Sequence, residues 1–248
     1  MSVWTQDARS AYRSYLRVVC LQSIPLSLTG ALITSYLTLY ATDVLLIAPA
    51  IVGTLFALAR LYDGVTDVLI GWWSDQRSGP GGRRRPFLLA GTLSMIPFAF
   101  LRLPPEGLQG LQLILFFGLA LLLFESLSTL VLVPFNALGI ESARTPRERS
   151  FATALSRAIG VAGLIAGFAV MQVLINSEAP RAEAGPYIMI ITVLSMLALG
   201  AGALQVQELR LAQPSPARNP WRQLRDVFSL GYFRQYTLIY CASWFCFA

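Results

Sequence analysis

The sequence predicts an all-α membrane protein: six transmembrane helices followed by the start of a seventh. Three observations predict this. Of 248 residues, 55% are hydrophobic and only 13% are charged, where a soluble domain carries about a quarter charged. Apolar runs recur that are long enough to cross ~30 Å of hydrocarbon, which takes ~20 helical residues at 1.5 Å each. The arginines alternate between loops in the way that sets membrane topology.

Span I covers about residues 15–40. A short turn around Asp43 and Pro49 leads into span II, about 47–73. A Gly- and Arg-rich loop, 74–86, precedes span III at about 87–103, which Pro104-Pro105 ends because proline cannot continue a helix. Span IV covers about 111–138, and a charged loop at 139–150 leads to span V at about 151–175. Gly160, Gly163 and Gly167 in span V are expected to let a neighbouring helix approach closely. Span VI covers about 187–204. Residues 1–204 are thus expected to form one six-span unit. A cytoplasmic linker, 205–231, follows; Trp221, Leu224, Val227 and Phe228 recur there at helical spacing with Arg222 and Arg225 off that face, predicting a short helix on the membrane surface. A seventh apolar run, 232–248, is incomplete.

All 19 basic residues are arginine, and there is no histidine. A histidine base or metal ligand is therefore excluded within this chain. Cys20, Cys241 and Cys246 lie in apolar segments without metal or disulfide spacing. The residues 1–17 are polar and lack a signal-peptide pattern, so span I is expected to act as its own insertion signal. The N-terminus, loop II–III, loop IV–V and the post-VI segment carry three, four, three and four arginines, against Arg102 and Arg181 in the alternate loops. The positive-inside rule places the N-terminus in the cytoplasm of a cell (bacterial inner) membrane. The net charge of +6 thus reads as topology rather than nucleic-acid binding. Six spans, a linker and part of a seventh are expected to be half of a twelve-span carrier, cut short, whose missing C-terminal half supplies the other wall.

The chemistry centres on Arg60-Leu61-Tyr62-Asp63-Gly64-Val65-Thr66-Asp67 in span II. Facing lipid, its three ionisable groups would cost on the order of 8–10 kcal/mol. At ~100° per residue, positions 60, 63, 66 and 67 share an arc of about 120° and can turn into a bundle interior. Asp63 and Asp67 are one turn, about 6 Å, apart along the axis. With the Thr66 hydroxyl they offer hard oxygens to Na⁺ or a proton acceptor. The structural alternative is an Arg60–Asp63 ion pair at i,i+3, which leaves a second carboxylate unbalanced. Arg157 in span V either pairs with Asp63, grips a polar substrate, or snorkels to headgroups. Glu125 in span IV is a proton carrier or substrate contact, or else a buried acid bonded to Ser126 or Ser128. Gly71 suggests a close helix contact, and Asp75 with Arg83, Arg84 and Arg85 suggests a cytoplasmic latch beside topogenic charge. No GxSxG or metal-spaced cysteines point to an enzyme, and no cofactor is expected besides the coupling ion.

The runs YATDVLLIAPAIVGTLFALARLYDGVTDVLIGWW, GWWSDQRSGPGGRRRPF and VPFNALGIESARTPRERS resemble spans I–II, loop II–III and the IV–V signature of the glycoside–pentoside–hexuronide:cation symporters, the melibiose-permease group of the major facilitator superfamily. The resemblance implies the N-terminal six-helix bundle of a major facilitator. It also implies cation ligation by Asp63, Asp67, Thr66 and Thr129, and a substrate-site arginine at Arg157. The permease's span I carboxylate falls on Ser27, its span IV carboxylate on Leu132 and the adjacent aromatic on Asn136. A galactoside held by two charge-assisted hydrogen bonds would lose both acceptors here, and Glu125, two turns from Leu132, is the acid left to compensate. The expected function is Na⁺- or H⁺-coupled symport of a sugar, glycoside or similar polar solute. A carrier of an amphipathic, lysolipid-like substrate and a non-transporting membrane fragment or subunit are the alternatives.

Overall fold

The computed structural model describes residues 2–77, 82–105, 107–176, 180–208 and 220–247. Two compact units emerge, Met1–Leu211 and Ala212–Ala248, and each is described by itself. The first contains α1 (Ser2–Ala31), α2 (Leu37–Leu39), α3 (Pro49–Gln76), α4 (Arg85–Gly91), α5 (Met95–Arg102), α6 (Gly110–Ser142), α7 (Pro146–Ile175) and α8 (Pro180–Gln205). The second contains α9 (Pro220–Ser229) and α10 (Gly231–Phe247). No strand occurs among the described residues. The surface helix expected around Trp221 is α9, although the Trp221 and Leu224 side chains lie outside the described residues. The seventh run is α10.

Among the described residues, four helical stretches are long and apolar enough to cross a membrane: Arg9–Val44, Gly110–Ser142, Pro146–Ile175 and Gly185–Gln205. Span II is the 28-residue α3, which carries Arg60, Asp63 and Asp67 inside its apolar run. Span III departs from a single helix: α4 and α5 flank a 3₁₀ turn, Thr92–Ser94. Pro97 has no N–H to give the Leu93 carbonyl, so the α-helical ladder tightens there.

Span I also departs from expectation. Two π-helical segments, Leu32–Tyr36 and Tyr40–Val44, flank α2 and carry the helix four residues further than residue 40. Arg102, expected in an exterior loop, is instead 1% exposed at the end of α5. Its guanidinium lies 4.7 Å from the Tyr36 ring centroid and 5.6 Å from that of Phe98. Its Nη2 donates to the Leu32 carbonyl at the start of the first π segment, and the Tyr40 hydroxyl donates to its own carbonyl at 2.6 Å. A cation-π box thus takes this arginine out of the loop.

The bundle is built around α6, which α3, α4, α5 and α1 all contact, while α1 packs chiefly on α7 and α8. The α1–α7 seam bears out the small-residue expectation. A Cβ at Gly163 would stand 2.4 Å from the Ile24 carbonyl oxygen, and one at Gly160 2.7 Å from Ser27 Oγ. Gly160 makes room for the Ser27 side chain, and at Gly163 backbone meets backbone because no side chain intervenes. Gly91 does the same for α4, where a Cβ would be 2.9 Å from the Val131 nitrogen of α6. Gly71 does not: a Cβ there would meet Val133 at an ordinary 3.6 Å, so its contact leaves room for a methyl group.

Candidate functional site

The α3–α6 seam positions the intramembrane charges. Val52, Ala59, Thr66 and Ile70 form the buried face of α3. Leu55 lies near Gly118 at one end of the seam and Gly71 near Val133 at the other. Between them the Tyr62 hydroxyl and Ser126 Oγ share a hydrogen bond of 2.9 Å. A stretch of α3 held near both ends and at Tyr62 therefore presents Asp63 to α6.

Thr129 is 1% exposed and donates to Asp63 Oδ1 at 3.0 Å. The Glu125 main-chain carbonyl is a second acceptor for the same hydroxyl, at 2.9 Å. A threonine hydroxyl has one proton to donate, so these acceptors outnumber the donor. Thr66, 8% exposed, donates to the Asp63 carbonyl at 3.0 Å, which leaves its oxygen lone pairs as acceptors.

Arg60 spans two acids rather than one. Its Nη1 lies 3.9 Å from Asp63 Oδ2 and 3.7 Å from Glu125 Oε1. The expected i,i+3 pair therefore exists but is shared. Glu125 is 6% exposed. Its bonding differs from the alternative of a hydroxyl-held acid, because Ser126 Oγ donates to the Leu122 carbonyl and Ser128 Oγ to the Glu125 carbonyl. Glu125 thus joins the acidic cluster. Asp63 and Glu125 face one arginine, and Asp67 lies one helical turn beyond Asp63, so the three acids carry two formal negative charges beyond Arg60 when all are ionised.

Positions 125, 129, 132 and 136 follow at i, i+4, i+7 and i+11, one face of α6. Glu125 and Thr129 are buried, whereas Leu132 and Asn136 are exposed on the same face. Arg157 on α7 is exposed and does not pair with Asp63; it has no ion pair among the described residues. One turn from it, Gly160 packs against Ser27 of α1, and Ser156 Oγ and Ser23 Oγ lie 3.0 Å apart. Ser27 therefore sits within the α1–α7 seam. Among the described residues no three His, Cys, Asp or Glu side chains cluster as a metal site, so a hydroxyl would have to complete any cation shell with the aspartates.

The latch residues meet at the opposite end of α3. Arg84, 4% exposed, donates through Nη2 to Asp75 Oδ1 at 2.9 Å and to Glu141 Oε1 at 2.7 Å. Arg83 also binds Glu141. Arg85 takes part through its backbone: Glu208 accepts the N–H groups of Arg83, Arg84 and Arg85 at 2.7, 2.7 and 2.9 Å. Such carboxylates satisfy donors at the start of a helix, here α4. Gly82, at φ +90°, brings the loop up to Glu208, where a Cβ would lie 2.7 Å from its Oε1. Glu141 and Glu208 were not legible as latch partners in the sequence; Glu208 has no local motif and lies 123–125 residues from the amides it binds.

Comparison with known proteins points one way. The profile of the MFS/sugar transport protein family matches residues 20–248. An uncharacterized symporter of Synechocystis is 28% identical over 194 residues, covering 73% of this chain and 35% of its own. The sodium-dependent lysophosphatidylcholine symporter 1 of Mus musculus is 29% identical over 162 residues, 63% of this chain and 30% of its own. The inner membrane symporter YicJ of Escherichia coli is 24% identical over 203 residues, 80% of this chain and 44% of its own. The chain thus spans less than half the length of these relatives.

Proposed function

The chain belongs to the MFS/sugar transport protein family, and from that premise we propose that it is the N-terminal part of a cation-coupled symporter. It is a multi-pass membrane protein of a symporter family. The reading assigns a Na⁺ or H⁺ site to Asp63, Asp67, Thr66 and Thr129. One observation carries it: a buried hydroxyl of α6 meets Asp63 of the neighbouring helix, with more acceptors than protons and, along that seam, more acids than arginines. A monovalent cation or a proton supplies the missing positive charge, which a bilayer interior would otherwise make costly.

The same reading gives Arg157, Asn136 and Glu125 to the substrate, with Ser27 in the α1–α7 seam against Gly160, one turn from Arg157. Binding of the cation would lower the charge of the α3–α6 cluster and favour substrate nearby. Such coupling is reciprocal, so substrate must tighten cation binding by the same factor. The loaded carrier would then rock between outward and inward states, with the rest of a longer carrier forming the second wall. The arginine distribution supports a cytoplasmic N-terminus, and the relative that is an inner membrane symporter of Escherichia coli supports a bacterial inner membrane.

The first substrate reading is a sugar, glycoside or similar polar solute, supported by the family match and by an exposed Arg157 with no ion pair among the described residues. The second is an amphipathic, lysolipid-like solute. It is favoured by Leu132, 42% exposed, beside Asn136 on the site face of α6, and by relatives that are lysophosphatidylcholine symporters. Uptake by the full-length protein under an imposed Na⁺ or H⁺ gradient tests both. Sugars and lysolipids are added as competitors, and whichever abolishes uptake identifies the substrate class. Asp63→Asn and Asp67→Asn are expected to abolish gradient-driven accumulation. Unchanged accumulation in both variants would end the symporter reading.

A further inference from the structure

A basic groove of about 430 Å³ opens beside the first turns of α1, lined by Arg9, Ser10, Arg13, Arg17 and Gln207. Arg9, Arg13 and Arg17 recur at i, i+4 and i+8 and are all exposed, so three guanidinium groups stand one above another on one face. None of them has an ion pair among the described residues. The acid next to Gln207 is not available to them: both oxygens of Glu208 are taken by the amides of Arg83, Arg84 and Arg85. Gln207 is held in place from below, its N–H donating to Ser14 Oγ at 2.8 Å, while Ser14 donates to the Gln205 carbonyl at 2.6 Å. The positive-inside rule explains why arginines gather at this end of the helix. It does not require them to share one face above a groove with no acid among its described lining residues.

We propose that this groove binds the phosphate headgroup of an anionic phospholipid. The face continues past the arginines to Cys20, which is exposed, and Ile24, whose residue is 41% exposed although its main chain packs on Gly163 of α7. Residues 13, 17, 20 and 24 follow at i, i+4, i+7 and i+11, so charge gives way to apolar surface along one line running into the span. A phospholipid matches that order, with phosphate oxygens on the guanidinium forks and an acyl chain along Cys20 and Ile24. Basic pockets at the cytoplasmic ends of membrane helices take such headgroups, and arginine suits phosphate because it offers two parallel donors. Free phosphate would use the arginines alone and leave the apolar continuation without a role.

The test is native mass spectrometry of the full chain released from mixed micelles that contain phosphatidylglycerol, phosphatidylcholine and inorganic phosphate. Wild-type protein is expected to retain phosphatidylglycerol well above phosphatidylcholine, in a salt-sensitive manner. Each arginine at an anionic lipid surface is worth roughly five-fold in affinity, so Arg13→Gln with Arg17→Gln should lower retention about 30-fold. The matched loop pair Arg144→Gln with Arg147→Gln, exposed and of equal charge change, should leave it within about two-fold of wild type. Equal retention of the two lipids, an equal loss in the loop pair, or displacement of the lipid by millimolar inorganic phosphate would each overturn the proposal. Should the double variant not fold, Arg13→Gln alone is read in its place, with about five-fold loss expected and no loss contradicting the assignment.

Discussion

Thr129 decides most at the scale of single residues. Its hydroxyl is the only described donor from α6 to Asp63, and it is buried at 1% exposure. Thr129→Val keeps the shape and removes the donor and the ligand oxygen together. A hydrogen bond to a charged group contributes about 1.5–3 kcal/mol, so cation affinity should fall at least ten-fold while the fold survives; a titration of cation-dependent uptake in the full-length protein checks this, and an unshifted half-saturation would remove Thr129 from the site. Asp63 and Asp67 were legible in the sequence because unpaired acids inside an apolar run need a reason to be there. Thr129 was reached only through a family resemblance, since one hydroxyl in an apolar helix carries no signal of its own. The placement of Glu125 was not legible at all. Arg60 reaches it across helices at 3.7 Å, and no spacing rule within one span reports a neighbour in another.

Helix boundaries and seams belong to the next scale up. The α1–α7 seam was legible as a stripe of Gly160, Gly163 and Gly167, because glycine on a membrane helix face has few other uses. Gly163→Ala forces a methyl to within 2.4 Å of a carbonyl oxygen of α1, and overpacking of this kind costs about 1–3 kcal/mol. Gly71→Ala, with 3.6 Å of clearance, should cost well under about 1 kcal/mol. Thermal unfolding of the two variants in one detergent separates them, and equal melting temperatures would contradict the packing described for α1 and α7. The start of α7 rests on a capping box: Glu148 N–H donates to Thr145 Oγ1 at 3.2 Å, and Thr145 N–H to Glu148 Oε2 at 3.1 Å. Thr145→Ala should destabilise by ~1 kcal/mol, visible in the same melts. The break in span III and the π segments of span I were not legible. The first has a local cause in the missing N–H of Pro97, which hydropathy does not register, and the second arises from a tertiary demand, a buried arginine seeking the Leu32 carbonyl.

At the scale of the whole molecule, two charged clusters bracket the bundle. One lies within the α3–α6 seam and is short of positive charge. The other, at the end of α3, is dense in hydrogen bonds and ties loop II–III to α6 and to Glu208 beyond α8. A mobile cation fits the first, and a structural clasp fits the second. The general class was legible from composition and arginine placement, since both reflect the bilayer as solvent. The substrate was not, because the residues that would distinguish a sugar from a lysolipid, Ser27, Leu132 and Asn136, carry no charge whose cost demands a partner. The cation site is therefore the claim on which the reading rests. It is tested most directly by equilibrium binding of radiolabelled sodium to the purified full-length protein, at several pH values, with Asp63→Asn and Asp67→Asn alongside. The account predicts saturable binding of sodium, or competition at the same site by protons, that is lost in both variants. Binding that persists unchanged when both aspartates are replaced would contradict it.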